Sequence, residues 1–271
     1  MNTADIEEVL AASEPEDIAT LVDIITDKGN GRLMLDGDIC RALHIARTSD
    51  LASLPGKSSL IAKEVRLFGG NSIANLVRGG DGVPYREVVA DVAKFLKVNF
   101  NDKASAADIE MQILFKILET SMEQMSQEER EELLKELGGG ATTGIGAGST
   151  AALQAAIKLG GFAPYRLALI IANAIARALT GKGLSLAANR AVTKYLSTFA
   201  GPIGWAITAI WTAVDLAAPA YRVTVPAVVM VAYMRQKVIF NSLPTCPSCS
   251  DPVQVGAKFC GSCGHSLGAK Q

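Results

Sequence analysis

The chain has 271 residues and a net charge of −1; 49% of its residues are apolar and only 6% aromatic. Ala, Leu, Ile and Val therefore carry the hydrophobicity, which favours closely packed helices and disfavours a nucleic-acid surface built on stacking rings. The near-neutral total conceals a division. Residues 1–137 hold 25 acids and 15 bases, a net of −10, while residues 138–244 carry +8 and the tail +1. Segments of opposite charge either meet different surroundings or face each other. The opening MNTADIEEVL has neither a basic nor an apolar leader region, so a cytoplasmic location is expected. Five cysteines in such a compartment point to metal binding or free thiols.

Amphipathic helices with start signals fill the acidic half. Ser13-Glu14-Pro15-Glu16 reads as a capping box with proline in the first turn, and Ile18, Leu21, Val22 and Ile25 follow at helical spacing up to a stop at Gly29. A short helix is expected over Asp38–Arg47, a loop over Thr48–Lys57, and a helix after Ser59 with Ile61, Val65 and Phe68 on its apolar side. Gly69-Gly70 breaks it. The glycines before the next helix read as a plain turn or as an anion site, and no GxxxxGK[ST] string supports the latter. Tyr85–Val98 resumes the helical period. Two capping boxes follow, Ser105-x-x-Asp108 and Ser126-x-x-Glu129, the second opening an acid run at 128–132 that reads as a solvated face or as a cover for the basic block.

The block from Gly138 to Pro244 is apolar, basic and rich in Gly and Ala. Pro164 opens a helix carrying Leu167, Ile170, Ile171 and Ile175, and Lys182–Lys194 reads as a more basic helix. Residues 195–214 carry no charge across a length that would cross a bilayer, but Gly201-Pro202 splits the run. A second apolar run, Val223–Met234, is interrupted by Pro226 and too short to span alone. Three readings stay open: permanent spans, a water-soluble core flanked by long Lys and Arg stems, or a block that inserts only when uncovered. Asp215, the one acid of the block, reads as an internal ion-pair partner or, in a membrane setting, a relay group.

The tail holds the strongest chemical signal. Cys246-x-x-Cys249 and Cys260-x-x-Cys263, ten residues apart, match the two thiolate knuckles of a structural Zn²⁺ ribbon, with disulfides or a redox pair as the alternatives. Ser250 stands where a glycine is usual after the first knuckle, and His265 is an excess donor beside four thiolates. Lys258 and Lys270 are too few bases for a nucleic-acid footprint, so the ribbon suggests a protein contact. Cys40 and His44 read as packed side chains of a helix. No catalytic set, P-loop or dinucleotide fingerprint occurs, and the expectation is a protein that is not an enzyme.

The strings FGGNSIANLVRG, YREVVADVAKFLKV and AYRVTVPAV resemble the YaaW-type family of bacterial proteins, across about residues 5–240. A region of that family is distantly similar to the ubiquinol–cytochrome c chaperone family. The resemblance implies an α-helical domain beside membrane-protein complexes and no catalytic residues.

These readings give an all-α multi-helix domain with a Gly/Ala-rich basic helical block and a small C-terminal zinc ribbon built on four cysteines. The expected divisions are 1–137, 138–240 and 246–267. The expected action is binding, or regulated insertion of the helical block, at the inner membrane surface or a membrane protein complex. The rival expectation is a soluble chaperone-like assembly factor for such a complex. Structural Zn²⁺ on Cys246, Cys249, Cys260 and Cys263 is the one expected cofactor, a protein the partner at the ribbon, and no nucleic acid is expected.

Overall fold

The computed structural model of the chain describes residues 5–30, 37–69, 82–137, 162–181, 183–184, 200–217, 220–250, 252–260 and 263–268. Among these residues the fold contains ten α-helices and no strands. Helix α1 (Ile6–Ala11) starts where the Asp5 carboxylate accepts the Ile6 N–H at 2.7 Å. Helix α2 (Pro15–Thr26) begins after Glu14, without the expected Ser13 box. The Ser13 hydroxyl instead donates to the Val9 carbonyl at 2.7 Å, because α1 ends two residues earlier and its last carbonyls need partners. The α2 stop also falls early, at left-handed Asp27, with Gly29 completing the turn.

Helix α3 (Gly37–Ser49) and two 3₁₀ turns, Leu51–Ser53 and Pro55–Lys57, lead into α4 (Ser58–Gly69), whose Ile61, Val65 and Phe68 are buried. Helices α5 (Tyr85–Phe95) and α6 (Ala106–Met122) pack on each other, and Ser105 and Asp108 close the expected capping box on α6. The second box forms on α7 (Gln127–Glu136): Glu129 N–H donates to the Ser126 hydroxyl at 3.2 Å, and Glu129 carboxylate accepts from Ser126 N–H at 2.8 Å. Helix α8 (Ala163–Thr180) has Pro164 in its first turn and left-handed Gly181 at its end.

Of the uncharged run 195–214, residues 195–199 lie outside the described residues; from residue 200 onward Gly201-Pro202 does not interrupt the helix. Residues 200–217 form one helix, α9 (Ala200–Ala217), because Pro202 lies in the first turn, where backbone N–H groups have no helical acceptor. Pro226 likewise fails to break α10 (Tyr221–Asn241). An interior proline costs about 3 kcal/mol. Val223, Val225, Val228, Val229, Met230, Val231, Tyr233 and Met234 are all buried, and each large apolar side chain contributes about 1.5–3 kcal/mol on burial. Burial wins.

Helix α10 is the axis of the bundle. Residues 223–236 are buried on every side, and the helix packs against α8, α2, α6, α1, α5, α9 and α4. Tyr165 stacks on Phe240 at 4.3 Å and Phe95 on Tyr221 at 4.2 Å, fixing its two ends. One hydrophobic cluster runs from Ile6 to Met234, joining helices on both sides of residue 138, while Cys246, Val253 and Cys260 form a second, small one. Among the described residues, α10 is the one helix long and apolar enough to cross a membrane, and 72% of its apolar window is buried inside the fold. The expectation of an anion-binding turn at 69–72 involves residues 70–72, outside the described residues, as do 141–160 and 185–199.

Candidate metal centre

A four-residue link after α10 leads directly into the tail. Two knuckles fold it, with matching hydrogen bonds. Ser250 N–H donates to the Cys246 carbonyl at 2.8 Å, and Gly264 N–H to the Cys260 carbonyl at 2.9 Å. Both turns require a left-handed residue after the second cysteine, and Ser250 (φ 60°) and Gly264 (φ 73°) supply it. Ser250 therefore adopts the conformation that glycine takes in the other knuckle. Isolated antiparallel bridges, Thr245 with Pro252 and Phe259 with Ser266, hold the arms, and Cys260 N–H donates to the His265 carbonyl at 2.8 Å.

This frame brings the sulfurs of Cys246, Cys249, Cys260 and Cys263 within 4.8 Å of one another. Cys246 and Cys263 sulfurs lie 3.7 Å apart, as do those of Cys249 and Cys260. A disulfide holds its sulfurs at about 2.05 Å, and none joins these four cysteines. Four sulfurs around a tetrahedral ion at about 2.3 Å stand about 3.8 Å apart, so the donor set fits a metal ion of that size and softness. His265 is exposed, and its backbone carbonyl serves the knuckle. Outside this cluster, Cys40 is buried with its thiol 3.8 Å from the Gly29 carbonyl.

Among the described residues, acidic and basic segments meet inside the bundle. Glu128 and Glu129 bond to Ser126, and Gln127 donates to Glu131, a solvated helix start. Arg235 of α10, fully buried, donates two bonds to the buried Glu110 of α6 at 2.8 and 3.1 Å, while Tyr85 of α5 donates to the same carboxylate at 2.9 Å. Lys237 reaches Glu14 at 2.6 Å and the buried Asp17 at 2.7 Å. Burial raises the Glu110 and Asp17 carboxyls above the ordinary range, against the pull of Arg235 and Lys237. Burial also works against the charge on Arg235 and Lys237, yet those carboxylates hold both bases above their usual values. No local pattern announced the first pair, whose members are separated by 125 residues. The Asp215 side chain lies outside the described residues.

His44 is half-buried beside a cavity of about 530 Å³ lined by Glu16, Asp23, Lys28, Arg47 and Gly183. Arg47 is committed there to Asp23 at 3.0 Å. The charges in this wall balance, and among the described residues no nucleophile–base pair forms in it.

The chain matches the family described as ubiquinol–cytochrome c chaperone over residues 56–229, from the second 3₁₀ turn into α10. It is 39% identical over 231 residues to a UPF0174 protein of Helicobacter pylori strain J99, covering 85% of this chain and 90% of the relative. A second UPF0174 protein of that strain is 40% identical over 193 residues, covering 69% and 90%. The UPF0174 protein YaaW of Escherichia coli K12 is 27% identical over 255 residues, covering 88% and 96%. No solved structure matches.

Proposed function

The chain belongs to the ubiquinol–cytochrome c chaperone family and to the UPF0174 family, and from that membership we propose a non-enzymatic, chaperone-like protein that binds subunits of membrane protein complexes during assembly. The family match over the helical bundle is the observation that carries this reading. The bundle supports it as a scaffold: its axis is buried, and Arg235–Glu110 and Lys237–Asp17 join the acidic and basic segments across it. The tail adds a module on a short link, which we assign to a structural Zn²⁺ held by Cys246, Cys249, Cys260 and Cys263. A closed shell of four thiolates leaves no position for substrate, so the ion folds the ribbon and presents its surface. Exposed Val255 and Phe259 suit a protein contact there.

Contact with a membrane surface is a second reading, favoured by one observation. Trp205 on α9 is 44% exposed, beside Gly201 and Gly204, where an added Cβ would meet nothing within 4 Å. That contact would be peripheral, made by α9 with α10 still in the core.

Cell-free synthesis of inner-membrane subunits in the presence of the purified full chain tests the first reading. Binding predicts a larger soluble fraction of some subunits, each associated with the protein. An unchanged soluble fraction across a broad set of subunits contradicts it. Recovery of the protein only with anionic vesicles would favour the second.

A further inference from the structure

We propose that the ribbon is a peroxide-responsive site in which Cys263 is oxidised first and Cys246 closes a disulfide onto it, opening the metal shell. This rests on reading the four cysteines as a zinc site, and measuring metal content before oxidation separates the two.

The four sulfurs share one donor type but not one environment. Cys263 is exposed and Cys249 half-buried, whereas Cys246 and Cys260 are 1% and 2% exposed. A small oxidant arriving from solvent meets Cys263 first. A thiol must be deprotonated to ligate a metal, so the shell keeps Cys263 in its nucleophilic form. Cys246 is better suited to the second step than to the first. Its sulfur is buried, accepts the Ser248 N–H at 3.4 Å, and lies 3.7 Å from the Cys263 sulfur.

The chemistry balances with hydrogen peroxide as the oxidant. The Cys263 thiolate attacks one peroxide oxygen, the O–O bond breaks, and hydroxide leaves, giving a sulfenic acid at Cys263. The Cys246 thiolate then attacks that sulfur, the S–O bond breaks, and a second hydroxide leaves. Two thiolates have lost two electrons, and peroxide, with two protons from solvent, has become two waters. The sulfurs need to close from 3.7 Å to about 2.05 Å. Two thiolates then remain, Cys249 and Cys260, too few to complete a tetrahedral thiolate shell. The new bond ties the first cysteine of one knuckle to the last of the other, so the ends of the ribbon stay joined. Cys249 and Cys260, also 3.7 Å apart, form the pair for a second equivalent.

The test uses the full chain loaded with zinc. Metal content is measured first: about one zinc per chain is expected, and none in Cys246→Ser/Cys260→Ser. Failure at that point overturns the zinc reading itself. Hydrogen peroxide is then titrated in, zinc release is followed with a chromogenic chelator, and disulfides are mapped by mass spectrometry after alkylation. The expected result is release in proportion to peroxide, with Cys246–Cys263 as the first disulfide and recovery of zinc binding after reduction by a dithiol. Cys40→Ser should leave the release rate unchanged. Zinc retained at about tenfold excess peroxide, or a first disulfide formed within a knuckle or with Cys40, would overturn the proposal. Mapping is done on the unmodified chain, so the outcome does not depend on a variant that fails to bind metal.

Discussion

Replacing Glu110 with Leu leaves the Arg235 guanidinium, which is fully buried, without the carboxylate that accepts two of its hydrogen bonds. Removing one member of a buried ion pair costs about 3–5 kcal/mol, because the remaining buried charge loses its main counter-charge without gaining water. The Tyr85 hydroxyl loses its acceptor as well, which adds about 1–3 kcal/mol if no new partner is found. Glu110→Leu should therefore lower stability by at least about 4 kcal/mol, a fall of roughly 10 °C or more in Tm for a domain of this size. The double variant Glu110→Leu/Arg235→Met removes both charges and keeps apolar volume. It should recover most of that loss and land within about 1–2 kcal/mol of the parent, since a well-packed apolar replacement is often neutral or stabilising. Urea unfolding followed by far-UV circular dichroism measures all three proteins. A single variant within about 1 kcal/mol of the parent, or a double variant less stable than Glu110→Leu, would refute the view that this pair fastens α10 to α6.

Three further outcomes follow from local geometry. Ser250→Gly removes the left-handed cost borne by serine in the first knuckle; metal affinity, read by competition with a chelator, should rise about five-fold for about 1 kcal/mol recovered, whereas Ser250→Val should lower it. Gly29→Ala should destabilise by about 2 kcal/mol, because Gly29 has φ 89° and its Cβ would lie 2.3 Å from His44 Nδ1. His44→Ala in that background relieves the clash and leaves the backbone cost, giving partial recovery in the same urea assay. Chelation of the metal should unfold the ribbon alone, since Cys246, Val253 and Cys260 form a cluster apart from the bundle. Amide exchange should then increase across 245–268 while protection of 223–236 is unchanged.

Features encoded within a few residues were legible in the sequence. The capping boxes at Ser105–Asp108 and Ser126–Glu129 are i, i+3 relations and formed as read. So did the close approach of the four cysteines, because each C-x-x-C turn is local and a short arm joins them. What depended on tertiary packing was not legible. Pro226 looks like an interruption until the neighbouring helices bury α10 and outweigh the missing hydrogen bond. Ser13 satisfies the end of the preceding helix, a role its own box-like string conceals. The charge division suggested that acidic and basic segments meet, but not that Glu110, Asp17 and Glu14 are the acids that do so among the described residues. An exposed acid-rich helix start is well solvated, whereas a single carboxylate opposite a buried guanidinium is held by the absence of water.

On the function proposed above, the bundle works as a folded scaffold with α10 as its permanent axis. Hydrogen exchange of the full, zinc-loaded chain with and without anionic vesicles tests it most directly. Amides of residues 223–236 should stay protected in both conditions, whether or not the protein associates with the vesicles. Loss of that protection on vesicle binding, with α10 transferred into the lipid, would contradict it.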